Sequence, residues 1–306
     1  MKSPNFYAET GLNRMADRRG DSVWLAEQQE KQNAIVLPVW RTQNLISLKS
    51  AKPQVGQLTI DEITKILEQK PHLVFLGHRN GTPYFSVDIS FIDDPQAIPE
   101  LQAIGDFTDI RDISLDLPRK DGGLLAYSRA IAQWHKTHQF CNRCGSPTIS
   151  KDGGHMRQCT NADCNAQHFP RTDMAVIMIV SSGDKIILGR KKDWPKDRFS
   201  ILAGFVEPGE TIEGAVEREV MEEVGIPITN IRYHSSQPWP YPSNLMLGFF
   251  AEALSDEIHI TDDELAEARW FTRDELIDEA IAYRKKPHSV SIARRLISER
   301  TLKTEG

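Results

Sequence analysis

All four cysteines of this 306-residue chain fall between positions 141 and 164, as Cys141-x2-Cys144 and, fourteen residues later, Cys159-x4-Cys164. No other feature restricts the fold as strongly. Short-spaced thiol pairs in a chain with no secretory signal read as metal knuckles rather than disulfides. Zn²⁺ takes four thiolates in a tetrahedron at about 2.3 Å, and two knuckles supply two ligands each. A closed four-thiolate site leaves no coordination position for chemistry, so the zinc expected here is structural. His155 and His168 lie nearby, but four thiolates make a fifth ligand unnecessary, and both are expected to be ordinary.

Lys and Arg number 37 against 43 Asp and Glu, a formal net charge of −6. That balance disfavours a chain held to nucleic acid chiefly by charge, without excluding a local basic groove. The longest apolar run, Met174 to Val180, is far short of the roughly 20 residues that span a bilayer as a helix. Met1 to Gly20 carries Arg14, Arg18 and Arg19 but no apolar stretch of the secretory kind. A cytoplasmic protein without membrane contact is the expectation.

The length suggests about two domains around a metal-bound connector. Before the cysteines, Ala34–Trp40, Leu45–Leu48, Leu73–Gly77 and Pro83–Ser90 read as strands. Asn80-Gly81 is placed to turn a hairpin between the last two. Leu58–Gln69 and Leu124–His138 have helical spacing. The predicted division is a β-rich N-terminal domain over 1–125, a linker helix and metal knuckles over 126–171, and a mixed α/β domain over 172–306. In the last, Met174–Val180 and Lys185–Leu188 read as a hairpin, Phe199–Val206 as a strand running into a loop, and, after a helix, Ile228–Ser236 and Leu245–Ala253 as strands. Helix is expected from Arg273 onward. This mixture predicts an α+β or α/β sandwich.

The chemistry concentrates in Gly204–Ile226. Pro208-Gly209 marks a turn, Thr211 a helix N-cap and Gly225 its stop, with Ile212, Ala215, Val216, Val220 and Val224 as the buried stripe. Glu219, Glu222 and Glu223 stand at i, i+3 and i+4 and share a face. Like charges so placed suit a hard divalent cation, Mg²⁺ or Mn²⁺. Arg218 is positioned to tie the helix back to Glu210. An acidic, solvated helix face is the plain alternative, but the whole stretch fits G-x5-E-x7-R-E-U-x-E-E-x-G-U, U being aliphatic. It resembles the Nudix box of pyrophosphohydrolases, a resemblance covering about 172–300. It implies an α/β/α sandwich that hydrolyses a nucleoside diphosphate linked to a second group, with Glu219 and Glu223 as metal ligands and Glu222 as ligand or base.

Downstream, Ser236-Gln-Pro-Trp-Pro-Tyr-Pro-Ser243 interleaves prolines with aromatics, a composition expected of a rigid loop. It resembles the SQPWPFPxS motif of the NADH pyrophosphatase (NudC-like) subfamily, with Tyr241 in place of phenylalanine. Cys144-Gly145 is similar to the turn of the zinc ribbon that precedes the Nudix domain in that subfamily. The resemblance implies hydrolysis of NAD(H) to nicotinamide mononucleotide and AMP, or removal of an NAD cap from RNA, by a homodimer. It also implies substrate contacts from Phe169, Ala203, Gln237, Pro238, Trp239, Pro240, Tyr241, Pro242, Ser243 and Ala293, and a further metal ligand at Glu264. Where the subfamily carries a glutamate in the ribbon, this chain has Gly153-Gly154.

Two other functions are compatible with parts of the sequence. ADP-ribose or ADP-sugar hydrolysis would use the same box. A nucleic-acid-binding ribbon beside an inert Nudix fold is disfavoured by the intact glutamates and by Asp152 and Asp163, which offset Arg143, Lys151, Arg157 and Arg171. No G-x-G-x-x-G turn occurs, so nothing suggests a dinucleotide held for redox chemistry.

Overall fold

The computed structural model describes residues 5–47, 49–261, 263–277 and 290–302. It divides into two compact units, one of Met1–Ala8, Thr172–Trp239 and Asn244–Gly306, the other of Glu9–Arg171 and Pro240–Ser243. Among the described residues, Asn5–Ala8 therefore cluster with the C-terminal unit, whereas the sequence reading grouped 1–125 together. Residues 278–289, where helix was expected, lie outside the described residues.

The Glu9–Arg171 unit contains strands β1 (Ile35–Trp40), β2 (Gln43–Ser47), β3 (Gln54–Val55), β4 (Val74–Arg79), β5 (Thr82–Asp88) and β6 (Asp106–Thr108). Its helices are α1 (Ser22–Gln29), α2 (Ile60–Leu67), α3 (Pro99–Gln102), α4 (Ile110–Ile113) and α5 (Arg119–Thr137). The sheet runs β3-β2-β1-β5-β4, with β6 on β2. Asn80 and Gly81, at φ 53° and 82°, make the two-residue turn between β4 and β5. Thr59 and Glu62 cap α2 reciprocally. Phe75, Phe85, Val36, Leu45 and Ile63 are at the centre of the core. Next come β7 (Thr148–Lys151), β8 (Met156–Cys159) and β9 (Gln167–His168), a small separate sheet around the cysteines.

The other unit is built on β10 (Asp173–Ser182), β11 (Lys185–Lys191), β12 (Leu202–Phe205), β13 (Ile228–Trp239), β14 (Asn244–Ala253) and β15 (Leu265–Phe271). Helices α6 (Ile212–Val224), α7 (Arg273–Ile277) and α8 (Ile292–Leu302) complete it. The sheet order is β13-β14-β10-β11-β15, with β12 on β10 and with β10 and β14 parallel. The period-two alternation of β10 assigns the two faces. Val176, Met178 and Val180 join the α6 residues Ala215, Val216, Val220 and Val224 in one core cluster. Ile177 and Ile179 join Ile292, Ala293, Leu296 and Ile297 of α8 in another. This is the α/β/α sandwich expected from the sequence.

Thr211 accepts the Gly214 N–H and so caps α6, and Gly225, at φ 67°, returns its N–H to the Met221 carbonyl. Each buried valine of the stripe contributes about 1.5–3 kcal/mol. A like-charge i, i+4 pair costs only about 0.2–0.5 kcal/mol. Burial therefore outweighs the repulsion among the glutamates and holds them where they are.

The Glu9–Arg171 unit also buries two imidazoles. His135 Nε2 lies 2.7 Å from the Gly154 carbonyl, and His155 Nε2 lies 2.8 Å from that of Phe75. Burial, with nearby cationic groups adding to it, holds each down to about 4 from an ordinary 6.5. The unfolded chain thus takes up protons between those values that the folded chain refuses. Their stabilising contribution is complete above about pH 6.5 and is lost as pH falls toward about 4. Melting temperature measured across that interval should fall, and fall less steeply for His155→Gln; equal slopes for the two proteins would contradict this account.

Candidate active site and metal centre

The four sulfurs of the ribbon converge, all within 4.8 Å of one another. Cys144 and Cys159 are 3.4 Å apart, and Cys141 and Cys164 are 3.8 Å apart. A disulfide would bring two sulfurs to about 2.05 Å. The edge of a tetrahedron with metal–sulfur bonds of about 2.3 Å is instead about 3.8 Å, which the observed separations approach. The N–H groups of Arg143 and Asn161 donate to Cys141 and Cys159, each at 3.4 Å. Ser146 lowers the Cys144 thiol to about 6, whereas burial raises Cys159 to about 12. Burial and the neighbouring thiols disfavour the Cys159 thiolate unless a cation is beside it. The donor set therefore fits zinc, and the closed geometry makes that zinc structural.

His168 is less ordinary than expected. Its Nε2 is 3.3 Å from Cys141 Sγ, placed to donate to a thiolate and orient the ligand. At Gly154, the second of the Gly153-Gly154 pair and at φ 95°, an added Cβ would come within 2.7 Å of the Val74 side chain, so a side chain there would force its neighbour to shift.

In the other unit α6 carries the box carboxylates, and Arg218 organises them. Its Nε and Nη2 donate to the two oxygens of Glu210 at 3.0 and 2.7 Å, the pairing expected from the sequence. Nη1 donates to Glu219 and to Glu222, both at 2.9 Å, and Nη2 also to the Phe205 carbonyl at 2.9 Å. All five guanidinium donors are thereby engaged. Glu210 receives the Glu207 N–H as well, at 2.7 Å. Arg218 first, and that N–H second, hold its carboxyl down to about 2. The same contacts, Glu210 foremost, raise Arg218 above its already high value.

Glu219 behaves in the opposite sense. Burial pushes its carboxyl up, and the charges of Glu222 and Glu264 push the same way against Arg218. Glu223 is 4% exposed, at the edge of the apolar stripe. Buried carboxylates crowded by others of the same sign are poor anions in protein alone and good ligands for a hard dication. On this donor chemistry the residues fit Mg²⁺ or Mn²⁺. Glu264, on the loop before β15, also meets Lys191 Nζ at 3.2 Å.

Ala203 lies on β12 opposite Ile177, and Gly204 beside it, opposite Val176, comes close to Glu219 of the carboxylate helix. A Cβ on Gly204 would stand 1.8 Å from Glu219 Cδ, so this glycine of the box serves close approach rather than a turn. Phe205 follows with its ring 56% exposed. Sequence reading passed over it, although an aromatic inside the box glycine's own strand was a signal. Ala293, expected at substrate, is on α8 and is buried in the core between that helix and the sheet. Phe169 is exposed, in the ribbon's unit.

The proline-rich string is a loop only in its second half, Pro240–Ser243. Strand β13 continues through Gln237, Pro238 and Trp239, paired with Met246, Leu245 and Asn244 of β14. The strand is at the sheet edge, where a proline lacking an N–H breaks no second ladder. Gln237 is wholly buried, its amide bonded to the carbonyls of Phe6 and Val290 and to the Ile292 N–H. Pro240–Ser243 belong to the other unit. There the guanidiniums of Arg111 and Arg129 lie 4.4 and 4.2 Å from the Tyr241 ring centroid, and its hydroxyl donates to Asp109 at 3.3 Å. Arg129 also donates to the Pro240 carbonyl at 2.9 Å. The hydroxyl that distinguishes Tyr241 from phenylalanine thus has a partner.

Models of the NADH pyrophosphatase-like rudimentary NUDIX domain, the NADH pyrophosphatase zinc ribbon domain and the NUDIX domain match residues 33–134, 136–169 and 170–293. The chain is 34% identical to the human NAD-capped RNA hydrolase NUDT12, over 96% of this chain and 72% of that protein. It is 39% identical to the NAD-capped RNA hydrolase NudC of Stutzerimonas stutzeri, over 66% of this chain and 70% of that one. Against its namesake from Mycobacterium bovis the identity is 38%, over 74% of each.

Two outcomes follow from the geometry. Elemental analysis should find one zinc per chain, and stripping it should abolish the cooperative melting of the Glu9–Arg171 unit, since a structural zinc supplies on the order of 10 kcal/mol. A metal-free chain that melts unchanged would contradict the assignment. Arg218→Lys replaces a five-donor fork with a point charge. It should lower turnover on the order of 10²-fold through displaced carboxylates, with melting little altered; full turnover would show that the clamp is dispensable.

Proposed function

The chain belongs to the NADH pyrophosphatase family of Nudix hydrolases, and from that premise we infer that it hydrolyses the pyrophosphate bond of NAD(H) to nicotinamide mononucleotide and AMP. The observation that carries this reading is the gathering of Glu210, Glu219 and Glu222 on one guanidinium, with Glu223 in the same helix. Such a cluster of hard oxygen donors suits a divalent cation, and through that cation a substrate whose own oxygens are anionic.

Glu219 and Glu223 would hold the divalent cation, Mg²⁺ or Mn²⁺, with Glu264 as a further ligand. When bound, the cation neutralises the diphosphate oxygens that would otherwise repel an attacking water. The protein's own contribution is positional. Gly204 lets β12 approach Glu219, and Arg218 fixes the spacing of three carboxylates before substrate arrives. Glu222, its side chain 55% exposed, is our candidate to take the proton from the attacking water. Trp239, and the exposed ring of Phe205, offer flat apolar faces to a base or a nicotinamide ring.

An NAD cap on RNA presents the same bond, and relatives named NAD-capped RNA hydrolases favour that substrate as a second reading. Homodimer formation is likewise proposed on family grounds. Among the described residues no helix is long and apolar enough to cross a membrane.

Incubation of the full chain with NADH and Mg²⁺ or Mn²⁺ should yield AMP and reduced nicotinamide mononucleotide. Glu223→Gln should lower the rate on the order of 10²-fold or more without unfolding the protein. Equal turnover of ADP-ribose and NADH would instead favour an ADP-sugar pyrophosphatase, and no cleavage of any dinucleotide would overturn the reading. Rates on NADH and on NAD-capped RNA, compared side by side, rank the two substrates.

A further inference from the structure

Asn5, Phe6 and Tyr7 precede every stretch that the three family models match. They are nevertheless buried, and they belong to the unit that carries the carboxylate helix. Their contacts converge on β13, the strand of the proline-rich motif. Asn5 Nδ2 donates to Ser235 Oγ at 2.9 Å and to the Ser236 carbonyl at 2.7 Å. Its Oδ1 accepts from Arg295 Nη1 at 2.8 Å.

These bonds close a ring of polar side chains between β13 and α8. Arg295 Nε donates to Glu299 at 2.9 Å, Glu299 meets His234 Nε2 at 3.0 Å, and His234 Nδ1 meets Ser235 Oγ at 2.7 Å. Asn5 joins the two ends. Two residues along the strand, the buried Gln237 amide donates to the Phe6 carbonyl at 3.1 Å and the Val290 carbonyl at 2.9 Å. Its Oε1 accepts the Ile292 N–H at 2.6 Å. Both amide hydrogens are thus engaged by the protein. Tyr7 is 2% exposed, with its ring centroid 4.9 Å from Phe6 and 6.1 Å from Trp239.

The strand needs such support. It is at the sheet edge, laddered to β14 alone, and its register is irregular between Thr229 and Arg232 and between Tyr233 and Ser235. Pro238 adds no N–H of its own. From Ser235 to Trp239 the pairing with β14 is regular, but it is on one side only, so the bonds from Asn5 and Gln237 are a second hold on this stretch.

We propose that Asn5–Tyr7 forms a strap that positions the motif strand, with Asn5, Tyr7 and Gln237 as positioning residues that set Trp239 for the dinucleotide. The positioning role rests on the reading that this motif receives the substrate; the strap itself does not. Gln237 acts through the strap and α8 rather than by touching substrate.

The test uses the full-length chain and its Asn5→Ala, Tyr7→Ala and Tyr7→Phe variants. Amide exchange in peptides covering 233–239 should quicken about tenfold or more in the two alanine variants, with α6 peptides unchanged. KM for whichever dinucleotide the unaltered protein cleaves should rise about 5–20-fold in those variants, with kcat within about threefold, and Tyr7→Phe should restore it. Unchanged exchange at 233–239 in Asn5→Ala overturns the strap. So does a uniform loss of protection across the whole unit, since the segment would then serve stability in general. Quickened exchange with unaltered KM overturns the positioning role. If Tyr7→Ala does not fold, Asn5→Ala decides both points. Should the unaltered protein cleave no dinucleotide, the proposed function and the positioning role fail together, while exchange still judges the strap.

Discussion

The five donors of Arg218 bind the loop carboxylate of Glu210, two helix carboxylates and the Phe205 carbonyl, so that β12, the box loop and α6 share one fixed point. The spacing of the carboxylates depends on that convergence. A helix with glutamates at i, i+3 and i+4 would spread them into solvent if only their mutual repulsion acted. The apolar stripe beneath fixes the helix, and the guanidinium fixes the side chains above it. The result is a divided electrostatic environment. Glu210 is held firmly ionised as a structural anion, while burial and like charges leave Glu219 in need of a cation. Carboxylates of one short stretch thereby acquire different tasks.

The two metal-suited clusters differ for physical reasons. The ribbon has soft thiolates at separations near a tetrahedral edge, with backbone N–H groups and His168 around them, and no place is left for substrate. The helix cluster has hard oxygens spread between helix, box loop and the loop before β15. Among the described residues only the cysteines come close enough together to form a complete ligand cage from the protein alone. A site that must accept a diphosphate cannot be closed in that way, because substrate oxygens have to complete it.

The motif strand shows how a proline-rich sequence can remain in a sheet. Pro238 is tolerated on an edge, and side-chain bonds from Asn5 and Gln237 supplement the single ladder. Tyr241, four residues beyond Gln237, is in a different environment, beneath two guanidiniums and bonded to Asp109. One continuous string therefore supplies residues to both compact units. Reading it as a single substrate-contacting loop obscured that division.

Much of the fold was legible because its determinants are local. The cysteine spacing specified a four-thiolate ribbon, the cap at Thr211 and the stop at Gly225 bounded α6, and the period of its apolar residues showed which face is buried. Even the Arg218–Glu210 pair followed from helix geometry and one turn. Residues whose roles come from distant partners were not legible. Nothing near Gln237 shows that Phe6 and Ile292 will take up its amide, or that Ala293 will be buried under the sheet. Nor does composition reveal that Ser236–Trp239 continues an edge strand, since that depends on β14 lying beside it. By itself the sequence determined the chemistry of the donors and their spacing along one helix or one knuckle. The tertiary structure decided which polar groups are already bonded within the protein, because burial and partnership arise only when segments remote in sequence pack together.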